Sequence, residues 1–146
     1  VELKPGSPHT IPGEAIFTLV GRDSSSEVMK ALEDACHRSL SAIARRHGLR
    51  FEYEQVSWLD PSDCSPKITD LFEKLVRERG YSYQRMPSGA GHDTQFMTRI
   101  TDAGMIFVPS VGGVSHAPDE LTHWEDIEAG AQLLADAAWA LSHEPE

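Results

Sequence analysis

Gly104-Met105-Ile106-Phe107-Val108-Pro109-Ser110-Val111-Gly112-Gly113-Val114-Ser115-His116-Ala117-Pro118-Asp119-Glu120 (104–120) is the stretch on which the fold class turns. It begins as a short apolar run stopped by a proline, the pattern of a buried strand. A loop follows in which adjacent glycines allow close backbone approach and a histidine stands at the exit. Next, Thr122-His123-Trp124-Glu125 reads as a capping box, and Trp124, Ile127, Ala131, Leu134, Ala138 and Leu141 recur at spacings of three and four. A final helix packed on a core is expected, with Trp124 and Trp139 on its buried side.

Working back from this stretch, the pattern repeats. Met86-Pro87-Ser88-Gly89-Ala90-Gly91-His92-Asp93 is a second glycine-rich loop that ends in a histidine. A short helix over 93–100 is expected between the two loops, and a short strand over 81–85 before them. Ser65 suits an N-cap and Pro66 a first helical position, with Ile68, Leu71, Phe72, Leu75 and Val76 as the stripe and Gly80 as the stop. The polar, twice-proline stretch from Leu59 to Pro66 is the strongest boundary, so two units over 1–60 and 61–146 are expected. In the first, Ala15 to Val20 reads as a strand. Ser24 with Glu27 reads as a capping box opening a helix that Gly48 ends, and Phe51 to Val56 reads as a half-exposed strand. Strands and helices alternate throughout, which is α/β (α+β) organisation.

The 146 residues carry 40% hydrophobic and 25% charged side chains, enough apolar material for a core. Thirteen Lys and Arg against 23 Asp and Glu give a formal charge of −10, which repels a phosphate backbone, so nucleic acid is not an expected partner. Cys36 and Cys64 show no CxxC spacing and are expected as reduced thiols. No apolar run approaches the roughly 20 residues of a membrane span, and a soluble, cytoplasmic protein without a membrane partner is expected. Two loops each ending in a histidine are where α/β proteins place ligand chemistry, although a lone loop histidine is more often structural. His37, His47, His123 and His143 read as surface residues.

SGAGHD (88–93) followed by MIFVPSVGGVSHAPDE (105–120) resembles the paired motifs of the N-carbamoyl-L-amino-acid hydrolases and allantoate amidohydrolases, and IPGEAIFTLVGRD (11–23) is similar to that family's lid-domain strand. The family belongs with aminoacylases and carboxypeptidase-like metallopeptidases. The resemblance implies half of a ferredoxin-like lid and dimerisation unit, followed by the C-terminal βαβα part of a zinc-exopeptidase-like catalytic domain. Ala15–Val20 and Phe51–Val56 would then be neighbouring lid strands, with the 24–47 helix on one face. The implied activity is hydrolysis of the carbamoyl C–N bond of a small ureido acid at a site with two zinc ions per subunit, in a homodimer joined through the lid.

Carried over by motif, the resemblance implies that His116 is a zinc ligand, Gly113 and Ser115 line the pocket, and Arg22 clamps the substrate carboxylate. It gives His92 and Asp93 a role in shaping the site, or Asp93 a role in capping the third helix. Position 9 is asparagine in the family and histidine here, which changes reach and charge at a substrate contact. The family's other metal ligands and its general base have no counterpart in this sequence. Two alternatives stand beside the implied function: a non-catalytic remnant that folds and dimerises, and an aminoacylase or dipeptidase. The segment alone would bare apolar surface around Phe107 and Trp139.

Overall fold

A computed structural model describes residues 1–143 as a helix-rich α/β chain. It divides into two compact units, Val1–Pro61 and Ser62 onward. No helix among the described residues is long and apolar enough to cross a membrane. Cys36 and Cys64 are both free thiols, half-buried.

In the first unit, β1 (Glu2–Lys4) pairs antiparallel with β2 (Glu14–Ile16), Leu3 opposite Ala15. Lys4 Nζ reaches Glu14 across the pair at 3.5 Å. Helix α1 spans Ser26–Arg46, and its N-cap is Ser25 rather than the expected Ser24. Asp23 Oδ1 accepts the Ser25 N–H at 2.8 Å, and Ser25 Oγ accepts from the Val28 N–H at 3.4 Å, so the aspartate turn fixes which serine caps. At the other end Gly48 has φ +64°, the Gly48 N–H reaches the Arg45 carbonyl and the Leu49 N–H reaches the Ala44 carbonyl. That paired closure needs a left-handed residue at the glycine.

The expected pairing of 15–20 with 51–56 does not occur. The partner of β2 is β1, and 51–56 joins no sheet. Phe51 and Tyr53 instead stand edge-on to the His37 ring, centroids 5.6 and 5.2 Å away, and the Tyr53 hydroxyl donates to Glu33 at 2.9 Å. Side-chain contact with α1 holds this segment where strand propensity foretold a ladder. His37, though exposed, is thereby an anchor as well as a surface residue.

In the second unit, α2 (Pro66–Glu78) packs on α4 (Trp124–Ser142), with the short α3 (Thr94–Met97) and a 3-10 turn (Val111–Gly113) between them in sequence. Ile68 and Val76 of α2 and Leu133 and Ala137 of α4 form the buried core. Ser65 and Pro66 open α2 at the expected positions. The Arg79 side chain pairs with Asp136 and ties the end of α2 to α4.

The face that α4 buries is rotated one position from the expected stripe. Leu133 and Ala137 are buried, whereas Leu134 is 59% exposed, and Trp124 and Trp139 are 80% and 69% exposed. Glycine decides this. A Cβ on Gly130 would lie 2.5 Å from Val108 Cγ1, so the main chain comes closest to its neighbours on the Gly130–Leu133–Ala137 side. A stripe drawn from large apolar residues misses a contact made by the smallest one. The α4 N-cap is His123 with no side-chain hydrogen bond, so Thr122 does not form the expected box.

No ladder forms at 81–85 or 104–109 among the described residues. Both segments are held by side chains. Gly104 lies so close to α2 that a Cβ there would meet Ile68 Cγ2 at 2.6 Å, and Val108 packs at Gly130. Tyr83 and Arg85 bond to Glu73 of α2 at 2.5 and 2.7 Å.

Candidate functional site

Both glycine-rich loops belong to the second unit and meet at one open pocket of about 490 Å³. Ser88 and His92 of the first loop, Phe107, and Ser115, His116 and Glu120 of the second are among its lining residues. The sequence thus foretold two loops, and folding brings their histidines to one cavity. Ser88 opens the first quoted motif and Glu120 closes the second, each four positions from its histidine, but no role was assigned to either from the sequence.

The second loop is tied shut by its own backbone. The Val111 N–H reaches the Leu121 carbonyl at 2.8 Å, and Ser110 Oγ donates to the Val114 carbonyl at 2.5 Å. Gly112 and Gly113 have φ +66° and +69°, which explains the glycine pair. His116 follows with φ +60°, the only non-glycine left-handed residue among the described residues. Such a conformation costs energy for a side chain with a Cβ and marks positions where the surroundings dictate the backbone. Here Glu120 Oε2 accepts the His116 N–H at 2.7 Å.

Ser115 Oγ lies 2.7 Å from His116 Nδ1. With Nδ1–H donated to that hydroxyl, Nε2 carries the lone pair, the arrangement in which histidines ligate metals. A catalytic zinc takes about three protein ligands. Among the described residues no group of three or more His, Cys, Asp or Glu is placed to hold a metal ion. The described residues do not by themselves fit a zinc centre; His116 offers one imidazole.

The other expected site residues are not among the pocket's lining residues. Asp93 stands at the N-cap of α3 but makes no capping hydrogen bond and is exposed, so the capping role is not realised. Gly113 shapes the turn and is not among the pocket's lining residues. His9, exposed in the β1–β2 connection, and Arg22, exposed after β2, belong to the first unit.

Arg85, just ahead of the first pocket loop, is held by α2. Its guanidinium reaches Asp70 at 2.5 Å and Glu73 at 2.5 Å, while Glu73 also accepts from Tyr83 and pairs with Arg77. Hydrogen bonds from Tyr83 and then Arg85 hold the Glu73 carboxyl below the usual carboxylate range. A lowered folded-state value means that this contribution is present above the unfolded pKa and is lost as pH falls through the folded one. The melting temperature of Glu73→Gln should therefore fall below that of the unmodified chain at neutral pH, and the gap should narrow as acid protonates Glu73. A gap that is constant with pH would contradict this assignment.

A model of the peptidase family M20/M25/M40 matches residues 3–140. The chain belongs to that family. Among its relatives, this M20-family chain is 34% identical over 142 residues to the N-carbamoyl-L-amino acid amidohydrolase of Geobacillus stearothermophilus, covering 97% of this chain and 35% of the relative. It is 29% identical over 143 residues to the allantoate amidohydrolase of Bacillus subtilis, covering 98% and 35%. Among solved structures it is similar to an amidohydrolase/peptidase candidate from Burkholderia cenocepacia, with TM-score 0.75 and 30% identity over 99% of this chain and 35% of that one. The M20-family chain spans about a third of the length of the curated relatives it matches.

Proposed function

We propose that this chain is the C-terminal part of an amidohydrolase that cleaves the carbamoyl C–N bond of N-carbamoyl-L-amino acids or related ureido acids. The observation that carries the reading is His116: left-handed, tethered through its N–H to Glu120 and through Nδ1 to Ser115, and lining the pocket that His92 also lines. Backbone strain kept at one imidazole in a pocket supports a ligating or substrate-contacting role for it. The amidohydrolase relatives supply the reaction class.

In this reading His116 contributes Nε2 as one ligand to a zinc centre whose remaining ligands and general base come from sequence other than these 146 residues. When bound, zinc would supply Lewis acidity toward the carbamoyl carbonyl. Ser115 orients the imidazole and Glu120 holds its main chain. The Val1–Pro61 unit is proposed as part of a lid through which two subunits associate, and Arg22 as the donor to the substrate carboxylate, where a planar, bidentate guanidinium is apt. His9 is proposed as a second contact, with a substrate range altered from that of an asparagine-bearing site.

Arg22→Ala in the complete enzyme should raise KM for an N-carbamoyl-L-amino acid about tenfold with metal content unchanged, since a hydrogen bond to a charged group contributes about 1.5–3 kcal/mol. Steady-state kinetics with metal analysis tests this. An unchanged KM removes Arg22 from the substrate site. The described residues hold no three-ligand group, which leaves a second reading for the chain on its own, a non-catalytic unit.

A further inference from the structure

The Ser88–His92 pair, which the zinc reading leaves without a task, has defined geometry. Ser88 Oγ is 2.7 Å from His92 Nε2, and the same oxygen accepts the Ala90 N–H at 3.2 Å. The His92 ring stands edge-on to Phe107, centroids 5.6 Å apart, and its main-chain N–H donates to Gln95 Oε1 at 3.2 Å. The ring is thus held at its backbone, at one face and at one nitrogen, on the wall of the pocket.

We propose that Ser88 is a positioning residue that fixes His92 as an Nδ1–H donor facing ligand chemistry. A hydroxyl has one proton to give and accepts readily. With the Ala90 N–H occupying one Ser88 Oγ lone pair, the hydroxyl still has its proton to give, and in this assignment His92 Nε2 accepts it through the imidazole lone pair. The ring proton then resides on Nδ1. Held this way, His92 is a donor to an acceptor oxygen, such as a carbonyl or carboxylate of a bound ligand, and is not a base while Ser88 occupies Nε2. The donor role toward a ureido acid rests on the proposed function. The tautomer does not, so the two fail separately.

The test is the nitrogen spectrum of the His92 imidazole in the 146-residue chain labelled with 15N, at a pH where the ring is neutral. The unmodified chain should show distinct protonated Nδ1 and unprotonated Nε2 resonances. In Ser88→Ala the two should move toward averaged positions as the tautomers exchange, with the His116 resonances unshifted, and Ser88→Thr should restore the separation. Ser88 is exposed in a loop, so Ala leaves the core intact; should that chain lose its fold by circular dichroism, Ser88→Gly serves for the same comparison. Protonation at Nε2 in the unmodified chain overturns the proposal. So does a His92 spectrum that is unmoved in folded Ser88→Ala or Ser88→Gly, or that averages equally in Ser88→Thr.

Discussion

His116→Ala, in the complete enzyme, is expected to lower hydrolysis of N-carbamoyl-L-amino acids by at least about 100-fold and to lower zinc content in parallel. Loss of a partner that merely orients a metal ligand already costs about 10–100-fold in affinity or activity, and removing the ligand itself costs no less. The substitution does not relieve the strain in the backbone. Alanine at φ +60° keeps a Cβ in the left-handed region, so the strain stays while the imidazole that justifies it is gone. His116→Gly relieves that strain and should give the more stable chain with the same loss of activity. Stability measured beside activity separates the chemical contribution from the conformational one. An alanine variant with full activity and full zinc would remove His116 from the site.

Leu133→Ala is expected to destabilise the second unit by about 2–5 kcal/mol, the range for deleting a buried leucine side chain. Leu133 is 6% exposed and is one of few buried side chains between α2 and α4. Domains are commonly stable by only about 5–15 kcal/mol, so this loss would bring the unit close to unfolding. The adjacent Leu134→Ala should change stability by less than about 0.5 kcal/mol, because Leu134 is 59% exposed. Urea titrations of the two variants compare them directly. The reverse order would mean that α4 buries the face drawn from its large apolar residues, and that the Gly130 contact is not what sets its rotation.

That pair of leucines shows where the sequence was legible and where it was not. The four helices could be placed because stripes and glycine stops are local signals; Pro66 and Gly48 act where expected, while Ser65 holds the N-cap position without a side-chain capping hydrogen bond. Which face α4 buries depends on the close approach of Val108 to Gly130, a contact between distant positions that no local period encodes. The strand expectations failed for a related reason. A strand exists only with a ladder partner, and Phe51, Tyr53, Tyr83 and Arg85 bind helices through their side chains instead. At the site, the motifs located His92 and His116, and the shared pocket follows only from the fold. Ser88 and Glu120 became visible once their hydrogen bonds to His92 and His116 were drawn.

The central claim is that these 146 residues hold one part of an amidohydrolase site and cannot run its reaction unaided. Ammonia release from an N-carbamoyl-L-amino acid by the purified 146-residue chain, with and without added zinc, tests it most directly. In the proposed reading the general base and the remaining metal ligands come from sequence other than these 146 residues, and loss of a general base alone costs about 10²–10⁴ in rate. No release above the uncatalysed background at any zinc concentration is the predicted result. Sustained release that His116→Ala abolishes would contradict the account, because it would mean that the described pocket assembles a complete catalytic centre from this chain alone.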